Sequence, residues 1–323
     1  MYEGFVKERT LAQAYHKALY MLNYHGVETG TDYNQKQKEI AMTMVVEDPL
    51  MEPMISRLGI FGPYELQQYV MEMLDGILDF KIGSSEHAWK YTYHSRMRRF
   101  PITLKYAFFR PMEWQLQAIK SGDYVDQVKF VIDDLRRNPD SRRAVISIRD
   151  NSMDPFVNDA SCLQNIQCFI RKGKLDMMIL IRSNDAPEAA FMNAFALIML
   201  QKKIADELGI PVGQYTHRAN SFHVYEKNYE MFNGFIQSIT KKELNELTYK
   251  YDSSGGKQNE CVQYRLATLE NNFSNEDEDW KVLMEAEIPR IQNKINSMRQ
   301  INIVPEKHLG EENQVWIYPF KHM

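Results

Sequence analysis

Residues 161–185, SCLQNIQCFIRKGKLDMMILIRSND, carry the clearest structural pattern of this chain. Within it, the strand-like segments 163–170 and 175–181 flank the polar tetrad RKGK, and this arrangement predicts a β-hairpin. An apolar segment at 190–208 follows and ends before Gly209, which is typical of a helix with its glycine stop. The polar residues of this region are therefore expected on a strand, a second strand and a helix, in that order.

The rest of the chain mixes helical and strand patterns. Helix-like segments are expected at 7–23, 65–79, 112–119, 124–137, 226–238 and 276–298, and strand-like segments at 42–46, 143–148 and 215–225. The glycine-bearing segments 26–37 and 252–257 predict loops. Because strands and helices do not alternate in a regular βαβα pattern, the sequence predicts an α+β fold.

The composition is that of an ordinary globular chain of 323 residues, with 44% hydrophobic and 25% charged residues. Its formal net charge of −4 argues against a general nucleic-acid binder, so no DNA partner is expected. No apolar run approaches the roughly 18 residues of a membrane helix, and the first residues lack a signal-peptide core. Three cysteines do not form a disulfide framework, which favours a reducing cytoplasmic location.

Cys162 is the first candidate for chemistry. The ordinary alternative is a buried, inert cysteine. A thiolate needs cationic or donor neighbours near neutral pH, and Arg142, Arg143 and Arg182 could supply them if their strands pair. Cys168 is the rival nucleophile, but its place in the middle of a strand favours a core role.

Other polar residues suit the recognition of a nucleotide. Arg182 offers a guanidinium fork for phosphate, and Ser183 adds a hydroxyl donor. Asn193 lies inside an apolar helix and needs a hydrogen-bond partner; its carboxamide can donate to O4 and accept from N3–H of uracil. His223 and Tyr225 share one face of a strand. The alternative to nucleotide binding is a surface position for the arginine, serine, histidine and tyrosine. For Asn193 the alternative is a buried structural hydrogen bond.

These residues together resemble the thymidylate synthase family, which also contains the pyrimidine hydroxymethylases. The resemblance covers about residues 90–232 and is carried by Ser161-Cys162-Leu163, Gln167-Cys168-Phe169, Arg182-Ser183-Asn184-Asp185, Asn193 and His223-Val224-Tyr225. It implies a single domain over residues 1–323, with a mixed sheet, packed helices and a peripheral insertion at about 240–300. It also implies that one face of the sheet forms a homodimer interface.

The resemblance implies covalent catalysis on dUMP or a related pyrimidine nucleotide. Cys162 would attack C6 of the pyrimidine and make C5 a carbon nucleophile. Tyr93 would assist removal of the C5 proton. Glu65 and Glu72 are both candidates for the glutamate that organises proton transfer, and Glu65 is preferred. 5,10-methylenetetrahydrofolate would be the co-substrate, with Asp185 contacting its pterin, and no metal is expected.

The resemblance assigns the remaining binding roles by position. Arg182 and Ser183 would hold the 5'-phosphate, and Asn193 would select uracil, whereas family members acting on cytosine nucleotides carry an aspartate there. His223 and Tyr225 would bind the 3'-hydroxyl of the sugar. Arg142 and Arg143 would cross the dimer interface to the phosphate of the other subunit.

Several departures from the family pattern leave alternatives open. The tryptophan-rich wall of the folate site is not visible, and only Trp89 lies near; Ala189, Phe191 and Asn220-Ser221 replace usual residues. Reductive methylation to dTMP is favoured, and hydroxymethylation of dUMP or dCMP is the alternative within the class. A non-catalytic nucleotide or RNA binder and a cysteine hydrolase using His217 or His223 are the alternatives from other classes.

Overall fold

The computed structural model describes residues 1–61, 63–82, 89–101, 124–251 and 303–304. Its strands are β1 Glu3–Glu8, β2 Val27–Gly30, β3 Lys36–Val46, β4 Ile55–Ser56, β5 Phe100–Pro101, β6 Tyr124–Val125, β7 Val145–Ser147, β8 Leu163–Arg171, β9 Lys174–Asp185, β10 Val212–Tyr225, β11 Thr248–Tyr251 and β12 Ile303–Val304. Its helices are α1 Leu11–His25, α2 Pro63–Asp75, α3 Tyr93–Arg98, α4 Gln127–Arg137, α5 Phe191–Leu208 and α6 Tyr229–Lys241.

Within the described residues, the centre of the fold is a seven-stranded mixed sheet. The strand order is β1-β3-β10-β9-β8-β7, with β2 paired to β3. The β1–β3 and β9–β10 pairs are parallel, and the other pairs of this sheet are antiparallel. Two smaller sheets, β12-β11-β4 and β5-β6, complete the described strands. The mixed sheet and its helices agree with the predicted α+β class.

The predicted hairpin is confirmed as β8 and β9. Leu163 pairs with Ile181 at its open end, and Arg171 pairs with Lys174 beside the turn. The turn places Lys172 and Gly173 in the left-handed region, with φ values of 51° and 73°. A two-residue turn of this hand matches the twist of the two strands.

Helix α5 forms the centre of the core. Its residues from Phe191 to Ala205 are largely buried, and it packs on β9, β10, α1, α2 and α4. A single π-helical turn, Ala186–Ala190, leads into it, and the Asp185 side chain accepts the backbone N–H of Glu188 at that turn. Asp185 is thereby held at the joint between β9 and α5.

The sheet buries one face more deeply than the other. Alternate residues of β9 (Leu175, Met177 and Ile179) are buried in the core. Met178, which points to the opposite face, is 47% exposed, and Phe5 of β1 is 62% exposed. Alternation of this kind is expected where one face packs on helices. No helix in the described ranges is long and apolar enough to cross a membrane.

The N-terminal prediction was wrong in two places. The helix expected at 7–23 begins only at Leu11, because Thr10 and Gln13 form a capping box and Lys7 belongs to β1. The segment 26–37, expected to be a loop, forms β2 and the start of β3, which pair from Val27↔Glu39 to Gly30↔Lys36. The first error concerns a strand whose partner β3 lies farther along the chain, whereas the second concerns two strands that are neighbours in sequence.

Other boundaries moved by a few residues. The helix expected at 65–79 is α2, which ends at Asp75 before Gly76. The helix expected at 124–137 is divided into β6 and α4. The helices expected at 112–119 and 276–298 and the loop at 252–257 lie outside the described residues. The proposed insertion also lies mostly outside them, so the single-domain prediction remains a prediction.

Gly76 combines a left-handed backbone with close neighbours, so its replacement is expected to be costly. Its φ is +64°, and a Cβ atom there would lie 2.2 Å from Nδ1 of His94 and 2.7 Å from Oδ2 of Asp79. The clash would separate the His94–Asp79 pair, whose atoms are 2.7 Å apart. We expect Gly76→Ala to lower the free energy of unfolding by about 2–4 kcal/mol, as measured by urea denaturation.

Gly173 provides the matched control. Its backbone is also in the left-handed region, with φ of +73°, but nothing lies within 4 Å of the position that a Cβ atom would occupy. We expect Gly173→Ala to cost only about 1 kcal/mol, which is the backbone contribution alone. Equal losses in the two variants would contradict the steric explanation.

Candidate active site

Cys162 lies immediately before β8 and is half-buried. Its carbonyl accepts the backbone N–H of Arg182 at 2.8 Å, so β9 fixes its position. Burial raises the pKa of the Cys162 thiol; Arg182 opposes the shift and Asp159 adds to it. The thiol is therefore held protonated in the free protein, beside a cation that favours its ionised form.

The guanidinium of Arg182 also supports the segment that leads into Cys162. Its Nε donates to the carbonyl of Ser161 at 3.1 Å, and Nη2 donates to the carbonyl of Ala160 at 2.7 Å. The side chain is nevertheless exposed, so it can present a cation to an anionic ligand. The sequence prediction that Arg182 lies close to Cys162 is consistent with these contacts.

Tyr93, at the first position of α3, also lies close to the cysteine. Its hydroxyl accepts the backbone N–H of Leu163 at 3.4 Å. Burial, and then the nearby Cys162, raise the pKa of Tyr93 far above its usual value. The phenol is therefore neutral and lies next to the nucleophile candidate.

A cavity of about 390 Å³ opens beside these residues. Its described lining residues are Tyr69, Glu72, Met73, Leu78, Trp89, Lys90, Tyr91, Thr92, Tyr93 and Asp159. The wall thus combines four aromatic rings with a few polar groups, which is typical of a site for a small organic ligand.

Glu72 of α2 contributes a carboxyl group with a raised pKa to the cavity wall. Burial raises its pKa to about 7, against the lowering effects of Gln68, which donates at 2.6 Å, and of Lys81. A carboxyl group that titrates near neutral pH can both accept and release a proton there. Glu65, the preferred sequence candidate, lies in the first turn of α2 and is not among the described residues of the cavity wall. The geometry therefore favours Glu72.

Two of the polar atoms that are buried without a hydrogen-bond partner among the described residues belong to residues that the sequence named for the site. They are Oδ2 of Asp185 and Nε2 of His223. The two residues are register partners on the parallel strands β9 and β10, and both lie near the C-terminal ends of those strands. Burial, and then Glu188, raise the pKa of Asp185 to about 7. Unpaired buried atoms of this kind are suited to meeting a ligand.

His223 packs against Tyr225, as predicted from their alternation. The ring centroids are 4.7 Å apart with an interplanar angle of 72°. Nδ1 of His223 lies 3.3 Å from the carbonyl of Ser221. Since a carbonyl only accepts, that contact places the proton on Nδ1 and leaves Nε2 as an acceptor.

Asn193 is 6% exposed and lies in the first turn of α5. Its Oδ1 accepts the hydroxyl of Tyr69 at 2.5 Å. Tyr69 was not a sequence candidate, although it stands three residues before Glu72 and so shares a helical face with it. That spacing was the signal that could have identified the pair. Tyr91, which contacts Ser161, was also passed over in favour of Tyr93.

The remaining candidates lie further out. Arg142 and Arg143 precede β7 with exposed side chains, and Arg143 contacts Asp134 of α4 at 3.4 Å, not a site residue. Ser183 lies in β9 opposite Ser221. The contacts of the described chain therefore do not bring the arginine pair to Cys162.

The cysteine-hydrolase alternative loses support from the histidine contacts. Both ring nitrogens of His217 are engaged: Nε2 lies 2.8 Å from Oδ1 of Asn184, and Nδ1 lies 3.0 Å from the hydroxyl of Tyr215. In the described part of the chain, no imidazole is hydrogen-bonded to Cys162. A nucleophile–base pair of the hydrolase kind is therefore not assembled there.

Comparison with known sequences identifies the family. A sequence model described as thymidylate synthase matches residues 78–272, more than half of the 323 residues. The chain belongs to the thymidylate synthase family. The match extends the resemblance of residues 90–232 at both ends, and confirms the family inferred from the cysteine, arginine and asparagine motifs.

Related thymidylate synthase sequences match along most of their length. A protein of Methanocaldococcus jannaschii named "Putative thymidylate synthase" is 28% identical over 226 residues, which are 68% of this chain and 90% of that protein. Proteins of the same name from Methanosarcina barkeri and Methanosarcina acetivorans are 25% and 24% identical, each covering 72% of this chain and 95% of the relative.

Membership of the thymidylate synthase family indicates an enzyme of one-carbon transfer. The family acts on a pyrimidine nucleotide with a folate co-substrate. Among the described residues, no group of three or more His, Cys, Asp or Glu side chains is placed to hold a metal ion.

Proposed function

We propose that this protein transfers a one-carbon unit from 5,10-methylenetetrahydrofolate to C5 of dUMP, giving dTMP. The observation that supports this most directly is the placement of Cys162. The cysteine is half-buried at a strand start, close to the Arg182 cation and the neutral Tyr93 phenol, and beside an aromatic cavity.

Cys162 is the proposed nucleophile. Its sulfur forms a bond to C6 of the uracil as the thiol proton leaves, and the electrons of the C5–C6 double bond move toward C5 and O4. The amide of Asn193 would stabilise the charge on O4. C5 would then bond to the methylene carbon as the bond from that carbon to one folate nitrogen breaks. A base would remove the C5 proton as the bond to the second folate nitrogen breaks, which would release tetrahydrofolate and leave a methylene group on the ring. Hydride from tetrahydrofolate would reduce this methylene to methyl, and the sulfur would depart from C6 as the C5–C6 double bond re-forms.

We assign the removal of the C5 proton to Glu72 as the base, assisted by the neutral phenol of Tyr93. Tyr93 lies next to Cys162, and Glu72 has a pKa of about 7 in the wall of the same cavity. A base whose pKa lies near the working pH is partly ionised and returns its proton readily. Glu72 takes the role for which the sequence favoured Glu65.

The nucleotide would be held by the residues named for it from the sequence. Arg182 and Ser183 bind the 5'-phosphate, and Asn193 reads the uracil edge. Nε2 of His223 accepts the 3'-hydroxyl with Tyr225 beside it, which would satisfy a nitrogen that has no partner among the described residues.

The proposed co-substrate can supply a hydrogen-bond donor to a buried carboxylate oxygen of Asp185. Oδ2 of Asp185 is buried and unpaired in the described part of the chain, and it can pair with the N–H donors of a pterin. 5,10-methylenetetrahydrofolate supplies the carbon and, for methylation, the hydride that reduces it. We also propose a homodimer in which Arg142 and Arg143, both exposed here, reach the phosphate of the other subunit.

Hydroxymethylation is the second candidate, and one observation favours it. Trp89 lines the cavity but remains 41% exposed, so it covers the site incompletely. A synthase must exclude water while hydride is transferred, whereas a hydroxymethylase admits water to the same carbon.

The test is an incubation of the purified protein with dUMP and 5,10-methylenetetrahydrofolate, with the products resolved by mass spectrometry. Formation of dTMP with dihydrofolate is the expected result. Formation of hydroxymethyl-dUMP with tetrahydrofolate would show that the protein is a hydroxymethylase instead of a methylating synthase. If neither product forms and dCMP is also unreactive, the enzyme proposal fails in favour of a nucleotide or RNA binder.

A further inference from the structure

Tyr69 connects the cavity to the base-reading amide. Its side chain is part of the cavity wall, and its hydroxyl reaches Oδ1 of Asn193, a residue 124 positions away in sequence. The two groups come from different helices, α2 and α5, which pack against each other. Because the two residues are far apart in the sequence, this contact forms only when the two helices pack against each other.

The structure places Oδ1 of Asn193, not Nδ2, 2.5 Å from the Tyr69 hydroxyl. An amide oxygen can only accept a hydrogen bond. The hydroxyl therefore donates to Oδ1. Burial raises the pKa of Tyr69 well above its usual value, so the phenol keeps this proton at all ordinary pH values.

The orientation of Asn193 determines which base it can pair with. Uracil presents O4 as an acceptor and N3–H as a donor, whereas cytosine presents an amino donor and N3 as an acceptor. An asparagine can serve either base by rotating its amide by 180°. The rotation to suit cytosine would exchange Oδ1 and Nδ2, so that Nδ2 would face the Tyr69 hydroxyl.

A phenol does not serve the two orientations equally. Its oxygen lone pair is delocalised into the ring, so it donates more strongly than it accepts. We propose that Tyr69 is a specificity-determining residue that holds Asn193 in the orientation complementary to uracil and thereby disfavours cytosine nucleotides. This inference rests on the proposed function, because it requires a pyrimidine nucleotide at Asn193.

The test compares two nucleotides on two proteins. Dissociation constants of dUMP and dCMP are measured by titration calorimetry, without folate, for the wild-type protein and Tyr69→Phe. We expect the wild type to prefer dUMP and the variant to lose about threefold to tenfold of that preference, which is the worth of one hydrogen bond. The ratio of the two constants is the decisive quantity, because a general loss of structure would weaken both nucleotides alike.

Tyr15→Phe is the matched control. It removes another buried tyrosine hydroxyl, which donates to the carbonyl of Ala186 at 2.9 Å and does not touch Asn193. Its dUMP-to-dCMP ratio should equal that of the wild type. A ratio that falls equally in both variants would overturn the assignment to Tyr69.

A second variant serves if Tyr69→Phe does not fold. Tyr69→Gln offers Asn193 either a donor or an acceptor of similar strength, so it keeps a partner for the amide without fixing its orientation. The preference for dUMP should fall in this variant too. An unchanged preference, with dUMP still bound, overturns the inference and leaves the proposed function intact. A wild-type protein that binds neither nucleotide overturns both.

Discussion

Replacing Cys162 with alanine is expected to lower kcat by about 10⁴-fold or more, because a covalent route cannot proceed without its nucleophile. The same variant should still bind dUMP with an affinity within about tenfold of the wild type, since Arg182 and Asn193 remain in place. Release of tritium from C5-labelled dUMP measures the chemical step, and calorimetry measures the binding. Retained tritium release would remove Cys162 from the mechanism.

Cys168 provides the matched control for this experiment. It lies in the middle of β8 and is completely buried, which raises the pKa of its thiol to about 12. Cys168→Ala should therefore keep turnover within about threefold, while the small cavity it creates lowers the unfolding free energy by about 1–2 kcal/mol. A loss of turnover confined to Cys168→Ala would reverse the two assignments.

Glu72→Gln is expected to have the next largest effect, with kcat lowered by about 10²–10³-fold. The wild-type pH–rate profile should show an inflection near pH 7 that the variant lacks, because the pKa of Glu72 is about 7. Glu65→Gln is the matched control on the same helix, and its kcat should fall by less than about threefold. If Glu65→Gln carries the larger loss, the original sequence preference was right.

The same substitution should change the pH dependence of stability. The pKa of Glu72 rises from 4.5 to about 7 on folding, so the folded protein holds a proton that the unfolded chain has released. The stability contribution is therefore complete below pH 4.5 and is lost as the pH rises through 7. At pH 8 we expect Glu72→Gln to be more stable than the wild type by about 1–3 kcal/mol, measured by urea denaturation.

Local signals predicted only some of the parts of the fold that local interactions form, because the pairing of β2 with its sequence neighbour β3 was missed. The hairpin of β8 and β9 was found because alternating residues and a turn of lysine and glycine lie within one short stretch. The strand β1 was missed because it pairs in parallel with β3, from Glu3↔Ala41 onward, and nothing near it in sequence reports that partner. The capping residues Thr10 and Gln13 were the available sign that the helix begins later.

The candidate site also contains residues that could be placed from local spacing and residues whose place depends on tertiary packing. The positions of Cys162, Arg182 and His223 follow from their spacing along strands, and these strands are neighbours in one sheet. The choice between Glu65 and Glu72 depends on how α2 is rotated against α5, which tertiary packing determines. The bond between Tyr69 and Asn193 depends on that same packing.

The two carbonyl contacts of Arg182 have a thermodynamic consequence. An arginine side chain loses up to about 2 kcal/mol of rotamer freedom when it is fixed. Because Ala160 and Ser161 already hold it, much of that loss occurs on folding, and binding of an anion need not repeat it. The same carbonyls lead directly into Cys162, so the distance from the proposed phosphate site at Arg182 to the sulfur is fixed before the nucleotide binds. A nucleoside without its phosphate would therefore lose the alignment of its ring as well as affinity.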